Sequence, residues 1–281
     1  MNRFLRSNFV FRSAFSRFRL IHELINLRDN RLIFVFGTQR SGNHMFIEWL
    51  CSGLENTLHL NHCHLLKKPK FKFCIGGRRI TLHKNFKKTI VVDPTKKHPG
   101  INQIECLEKL DLQETTFTYS FENLPVYMGF LKKHSKHLRI VILRDPANFI
   151  ASYFKYVGED VKHTRKVIST YISYLKLFEN KDTLLFINFN KFVSDESYRK
   201  IISNEISNHS HTLADATLSN VSDFGGGSSF SKLQKSPKVF DRWEHYRDNK
   251  AYKDLLRDKE LIRLSKLFFD KLIGFKAMNI I

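Results

Sequence analysis

Residues 32–50, LIFVFGTQRSGNHMFIEWL, restrict the possible folds more than any other stretch of the chain. Leu32 to Phe36 is an unbroken apolar run, short and ended by Gly37. Such a run predicts a strand covered on both faces. Gly37 to Gly42 make a turn with glycine at each end, and from His44 to Glu55 apolar residues recur at helical spacing. A strand, a glycine-bearing turn and a helix in that order aim backbone N–H groups and a helix N-terminus at one spot. Unpaired N–H groups and the positive end of the helix dipole favour an anion there, such as phosphate.

The spacing GxxxxG is that of a loop that binds nucleoside triphosphates, which continues with Lys and then Ser or Thr to reach the terminal phosphates and hold magnesium. Asn43 and His44 stand in those places, and the cation, Arg40, lies inside the turn. The cradle for an anion is present and the apparatus for Mg·ATP is not. A second stretch, Leu138 to Arg144 (LRIVILR), predicts another buried strand and is followed by Asp145, Pro146 and then ANFIASYFKYV. Asp as N-cap with Pro at the first helical position predicts a helix start. Arg144 is thereby placed at the carboxyl end of a strand, where open α/β sheets bind ligands. Helical side chains lean toward the N-terminus, so Ser152, two turns in, can reach the same phosphate as Arg144.

With these segments the chain resembles the P-loop sulfotransferases that use 3′-phosphoadenosine 5′-phosphosulfate. TQRSGNHMFIEWL, residues 38–50, resembles their 5′-phosphosulfate loop, and RDPANFIAS, residues 144–152, resembles their 3′-phosphate motif. The distance between the two segments also matches the family. GGGSSF at 225–230, followed by DRWEHY at 241–246, resembles the late loop that closes over the 3′ side of the nucleotide. The resemblance covers most of residues 32–250. It implies nucleotide contacts from Thr38, Gln39, Arg40, Ser41, Gly42, Asn43 and His44, from Arg144 and Ser152, and from Gly226, Ser228 and Ser229. Two departures stand out. Asn43 replaces a common Thr, and the late loop lacks an Arg-Lys-Gly triplet, leaving Lys232, Lys235, Lys238 or Arg242 to supply its charge.

Sulfuryl transfer moves charge onto the bridging oxygen of the departing phosphate, so a cation aimed there lowers the barrier. The group in flight carries less negative charge than a phosphoryl group, and no metal is expected. Arg40 is the candidate for that cation, with His44 at the helix start as a helper. The acceptor hydroxyl needs a general base. In the family this is a His or Glu ending the strand before the 3′-phosphate strand. Here the strand is Thr116 to Phe121, and Glu122 occupies the matching place. A capping or surface carboxylate is the competing reading of Glu122.

Other candidates read as structural. His62, Cys63 and His64 are adjacent, so they alternate faces, and no second pair stands at metal-ligand spacing. His83 and His98 lie in a lysine-rich stretch and read as solvated, and Trp49 reads as core. Cys51, Cys63, Cys74 and Cys106 form no framework of close pairs and read as free thiols in a reducing compartment.

The formal net charge is +20 over 281 residues, with 42% apolar and 26% charged residues, a globular composition. Residues 67–97 hold eleven Lys and Arg against one acid, Asp93. Within them Lys70 to Ile75 and Arg78 to His83 alternate about Gly76-Gly77, which predicts a basic β-hairpin inserted in the domain. Such a surface attracts polyanions of any kind. Residues 1–22 carry five Arg, several Phe and no acid. They are too interrupted by charge for a signal-peptide core or a membrane span. Segment 1–30 therefore reads as a basic amphipathic arm, suited to an anionic membrane surface or to an organelle transit peptide. The expected setting is cytoplasmic, with peripheral membrane contact through residues 1–22, and a glycan or glycolipid acceptor rather than nucleic acid.

Further elements are a helix over Val161 to Glu179, a strand over Thr183 to Phe189, a helix over Tyr198 to Ile206 and a helix over Leu255 to Phe275. Residues 219–236, rich in Ser and Gly, read as a lid loop. The alternation of β and α segments predicts one α/β domain, residues 31–281, with a mostly parallel central sheet flanked by helices, of the P-loop nucleotide-binding type. Two rival functions share parts of this pattern. A P-loop nucleotide kinase would share the strand–loop–helix, and a non-catalytic polyanion-binding protein would explain the charge alone.

Overall fold

The structure, a computed structural model, describes residues 32–66, 74–76, 79–84, 87–92, 115–122, 137–180, 184–208 and 240–281. The arm 1–30, the loop 219–236 with Gly226, Ser228 and Ser229, and Lys232, Lys235, Lys238, His98 and Cys106 lie outside the described residues. No helix among the described residues is long and apolar enough to cross a membrane.

Five strands run parallel in the order β2 (Asn56–Leu66), β6 (Thr116–Glu122), β1 (Leu32–Gly37), β7 (Leu138–Leu143) and β8 (Leu185–Asn188). The apolar runs read in the sequence thus become central strands, buried on both faces. Phe34, Phe36, Tyr119, Phe121 and Val141 face one layer, formed by α2 (Pro146–Tyr156), α3 (Val161–Glu179), α6 (Lys250–Leu256) and α7 (Lys259–Phe268). Ile33, Val35, Ile140, Ile142 and Ile187 face the other layer, formed by α1 (Asn43–Gly53), α4 (Phe189–Ser194) and α5 (Glu196–Ser207). Trp49 belongs to this second core, with its ring 5.2 Å from that of Phe192. Cys51 is buried there.

The chain leaves β1 through α1 on one face of the sheet and leaves β7 through α2 on the other. The carboxyl ends of β1 and β7 therefore flank a topological switch point, the place where such sheets open a ligand crevice.

On the far side of β2 the sheet becomes antiparallel, through β3 (Cys74–Gly76), β4 (Arg79–Lys84) and β5 (Lys87–Val92). The pairing differs from the hairpin expected about Gly76-Gly77. β3 pairs with His64–Leu66 of β2, and β4 pairs with Asn56–Asn61 of the same strand. An eleven-residue β2 offers one edge long enough for both segments in succession. The antiparallel partner of β4 on its other edge is β5.

Two further expectations change. The strand expected to run to Phe189 ends at Asn188, whose side chain caps α4 through the N–H groups of Asn190 and Lys191. The single helix expected over 255–275 is broken: α6 ends at Leu256, α7 spans Lys259–Phe268, and residues 269–275 are not helical. Asp258 caps the second, accepting 2.9 Å hydrogen bonds from the N–H groups of Glu260 and Leu261, and this cap breaks the run.

Candidate functional site

The loop after β1 is held in shape by its own polar groups. The Ser41 hydroxyl lies 2.6 Å from the Thr38 carbonyl and 2.8 Å from Asn43 Oδ1, and Asn43 Nδ2 donates to the Thr38 carbonyl at 3.2 Å. Asn43 is thus turned into the loop, bracing it. This close seat requires glycine at 37, since a Cβ there would stand 2.2 Å from Asn43 Oδ1. Gly42 has φ +100°, and a Cβ on it would stand 2.2 Å from the Phe189 ring. Arg40 adopts φ 73°, a left-handed conformation that costs a residue with a Cβ about 1–2 kcal/mol. The buried Thr38 hydroxyl has no hydrogen-bond partner among the described residues.

Arg40 stacks its guanidinium over the Tyr156 ring, 5.2 Å from the centroid, and Gln39 Nε2 donates to the Tyr156 hydroxyl at 3.3 Å. The field of Glu122 also acts on Arg40. Glu122 ends β6 directly opposite Gly37, and its Oε1 lies 3.1 Å from Nε2 of His44 in the first turn of α1. Glu122, expected as the acceptor's base, and His44, expected as a helper to Arg40, are therefore in mutual contact at the mouth of the loop.

Arg144 is 2% exposed. Its Nη1 lies 3.4 Å from Ser152 Oγ and 3.4 Å from the Arg40 carbonyl. Arg242 reaches the same serine, donating from Nη1 to Ser152 Oγ at 2.8 Å. One hydroxyl thus stands between two guanidinium groups, with Arg40 nearby. Burial pushes Arg144 down to about 10; Asp145 opposes that shift and Arg40 adds to it. Burial, and then the fields of Arg144 and Arg40, push Arg242 down to about 9. Three cations held this closely in a partly desolvated pocket gain from an anion placed among them.

Beyond the Asp145 cap, the frame around Arg144 was not visible in the sequence. Tyr171 and Tyr252, both buried, donate to the carbonyls of Arg144 at 2.6 Å and Ala147 at 2.8 Å, pinning the strand end and the helix start. Asp145 caps α2 through the N–H of Asn148 at 2.9 Å and also receives Asn190 Nδ2 at 3.0 Å. Asn148 is the joint of the site. Its Nδ2 donates to the Phe240 carbonyl at 2.8 Å, and its Oδ1 accepts from the N–H of Arg242 at 2.7 Å and of Trp243 at 3.3 Å. The 3₁₀ turn Arg242–Tyr246 is thereby fastened to the first turn of α2, which delivers Arg242 to Ser152. Of the four basic residues proposed for the late loop, Arg242 is the one among the described residues.

Among the described residues no group of three or more His, Cys, Asp or Glu could hold a metal ion.

No family model matches the chain, and no curated protein matches it. Among solved structures it is similar to the crystal structure of mouse sulfotransferase SULT7A1 complexed with PAP, at 14% sequence identity and a TM-score of 0.42, over 89% of this chain and 94% of that one.

Proposed function

We propose that the chain is a sulfotransferase, moving a sulfuryl group from 3′-phosphoadenosine 5′-phosphosulfate to an acceptor hydroxyl of a carbohydrate. The observation that carries this reading is the cluster of Arg40, Arg144 and Arg242 about Ser152, at the switch point of a parallel sheet. Ser152 with Arg144 and Arg242 offers one hydroxyl and two forked cations, a donor set suited to a phosphate monoester. The loop 38–43 offers its backbone and the Thr38 hydroxyl to the 5′ side. Two phosphate-sized sites at the ends of adjacent strands suit a nucleotide that is phosphorylated at both its 3′ and 5′ positions.

Arg40, left-handed at the loop and stacked on Tyr156, is the cation for the bridging oxygen. The His44–Glu122 contact supplies the acceptor side. A kinase reading is weakened by Asn43, whose amide is committed to the Thr38 carbonyl where such a loop carries its lysine. The carbohydrate class rests on the family resemblance and the basic composition. A glycolipid acceptor would accord with a membrane-facing arm at residues 1–22.

Calorimetric binding of 3′-phosphoadenosine 5′-phosphate beside Mg·ATP, at moderate salt and without acceptor, tests the donor site. Micromolar binding of the bisphosphate, weak binding of Mg·ATP and loss of the former in Arg144→Ala are the expected results. Preference for Mg·ATP would restore the kinase reading. Binding of neither would leave a polyanion-binding domain.

A further inference from the structure

We propose that the base for the acceptor hydroxyl is the His44–Glu122 pair acting as a single proton-holding unit, an inference that rests on the sulfuryl-transfer reading above. The two side chains come from different elements, and the fold brings them together. Parallel pairing of β6 with β1 sets Glu122 beside Gly37, where the loop begins, and α1 begins where the loop ends, with His44 as its second residue. Between them Nε2 and Oε1 are 3.1 Å apart.

The carboxylate is the more deeply placed member, at 6% exposure, and the imidazole the more open one, at 21%. In such an arrangement the carboxylate fixes the tautomer and plane of the ring and stabilises the imidazolium that forms when a proton arrives. Other titratable or charged groups on the surrounding described elements are Arg40 in the loop, which senses Glu122, Tyr156 of α2 against Arg40, and Glu48 one turn along α1. On the β2 side His59 Nε2 lies 3.1 Å from Ser120 Oγ, two residues before Glu122.

The step balances as follows. The acceptor oxygen forms a bond to sulfur, and the bond from sulfur to the bridging phosphate oxygen breaks, its electron pair leaving with the nucleotide. The acceptor proton passes to the pair, whose charge changes from −1, imidazole with carboxylate, to zero, imidazolium with carboxylate. Water later removes the proton. This geometry also explains why a His occupies the second residue of α1. From that place it reaches the end of β6 beside the start of the loop.

The test uses single-turnover hydrolysis of radiolabelled 3′-phosphoadenosine 5′-phosphosulfate, with water as acceptor, in His44→Asn, Glu122→Gln and the double variant. A unit predicts a loss of about 100-fold in each single variant and at most about threefold more in the double variant. It also predicts that the acid limb of the pH–rate profile moves to lower pH in His44→Asn, because carboxylates titrate below imidazole. His44→Gln, which keeps an amide donor facing Glu122, guards against a loss of folding and should show the same limb shift. Losses that multiply to about 10⁴, or a profile unmoved by removal of His44, would overturn the pair while leaving the donor site intact. Bisphosphate binding by the unmodified protein is the separate control, and its absence would overturn the transfer reading and the pair together.

Discussion

Replacing Arg242 by Met should make the unliganded protein more stable and a poorer binder. Burial and two neighbouring guanidinium groups push Arg242 down to about 9. The sign follows from linkage. A base depressed on folding carries its full penalty below its folded pKa, and the penalty eases as pH rises above that value. An assay at pH 7.5 therefore sees all of it. Taken whole, the displacement corresponds to about 5 kcal/mol. Solvent screening at this partly exposed group reduces that figure. Loss of the 2.8 Å bond to Ser152, a charge-assisted contact, costs about 1.5–3 kcal/mol in the other direction. Met fills a similar volume along the stem, so the net expectation is a gain of about 1–2 kcal/mol, or about 3–6 °C in Tm. Bisphosphate affinity should fall about 100-fold, from the loss of ~2–3 kcal/mol of charge-assisted bonding. Scanning calorimetry with and without 3′-phosphoadenosine 5′-phosphate reads both effects in one sample. A lower Tm without ligand, or an affinity within threefold of the unmodified protein, would refute the argument that these cations are held against their own repulsion for an anion.

Two substitutions probe the frame. Gly42→Ala should destabilise by about 2–5 kcal/mol in urea unfolding, combining the left-handed penalty with the overlap against Phe189. Phe189→Leu in the same chain should recover the overlap share alone, and a neutral Gly42→Ala would contradict the loop geometry. Asn148→Ala should cost about 2–3 kcal/mol and weaken bisphosphate binding, because Phe240, Arg242 and Trp243 lose the amide that fastens them to α2. Stability lost without any change in affinity would separate Asn148 from the delivery of Arg242.

What the sequence displayed were features whose physics is local. The apolar runs at 32–36 and 138–143 could only be buried strands, Asp145-Pro146 could only start a helix, and the stripe of Val167, Ile168, Tyr171 and Leu175 marked α3 at its observed bounds. Pairing partners are not local. β2 opens with alternating polar and apolar residues directly after α1, and only its parallel register with β6 shows why Thr57, His59 and Asn61 are buried. The hairpin pattern about Gly76-Gly77 was genuine as alternation, but a longer edge on β2 competed for both segments. Asp258 in the apolar run at 255–275 was a capping signal set against strong periodicity. At the site, the separation of Arg144 from Ser152 was readable because one helix turn repeats another. The choice of Arg242 was not, since it depends on an Asn more than ninety residues earlier gripping the backbone of the late segment.

That grip, between Asn148 and residues 240–243, makes the site depend on a part of the chain made long after the strands that frame it. The parallel strands and the loop belong to residues before 190, yet the third cation arrives only after residue 242. Trp243, Tyr246, Tyr252 and Leu255 must close the same core before that cation is held in place. On a ribosome, the growing chain would present two guanidinium groups and an open serine for the whole time needed to make some fifty further residues. The three-cation site of the proposed donor pocket is complete only when this later part of the core has docked. On the proposed donor-site reading, a bisphosphate column would retain chains that include the docked segment 240–256 while passing those truncated before Arg242.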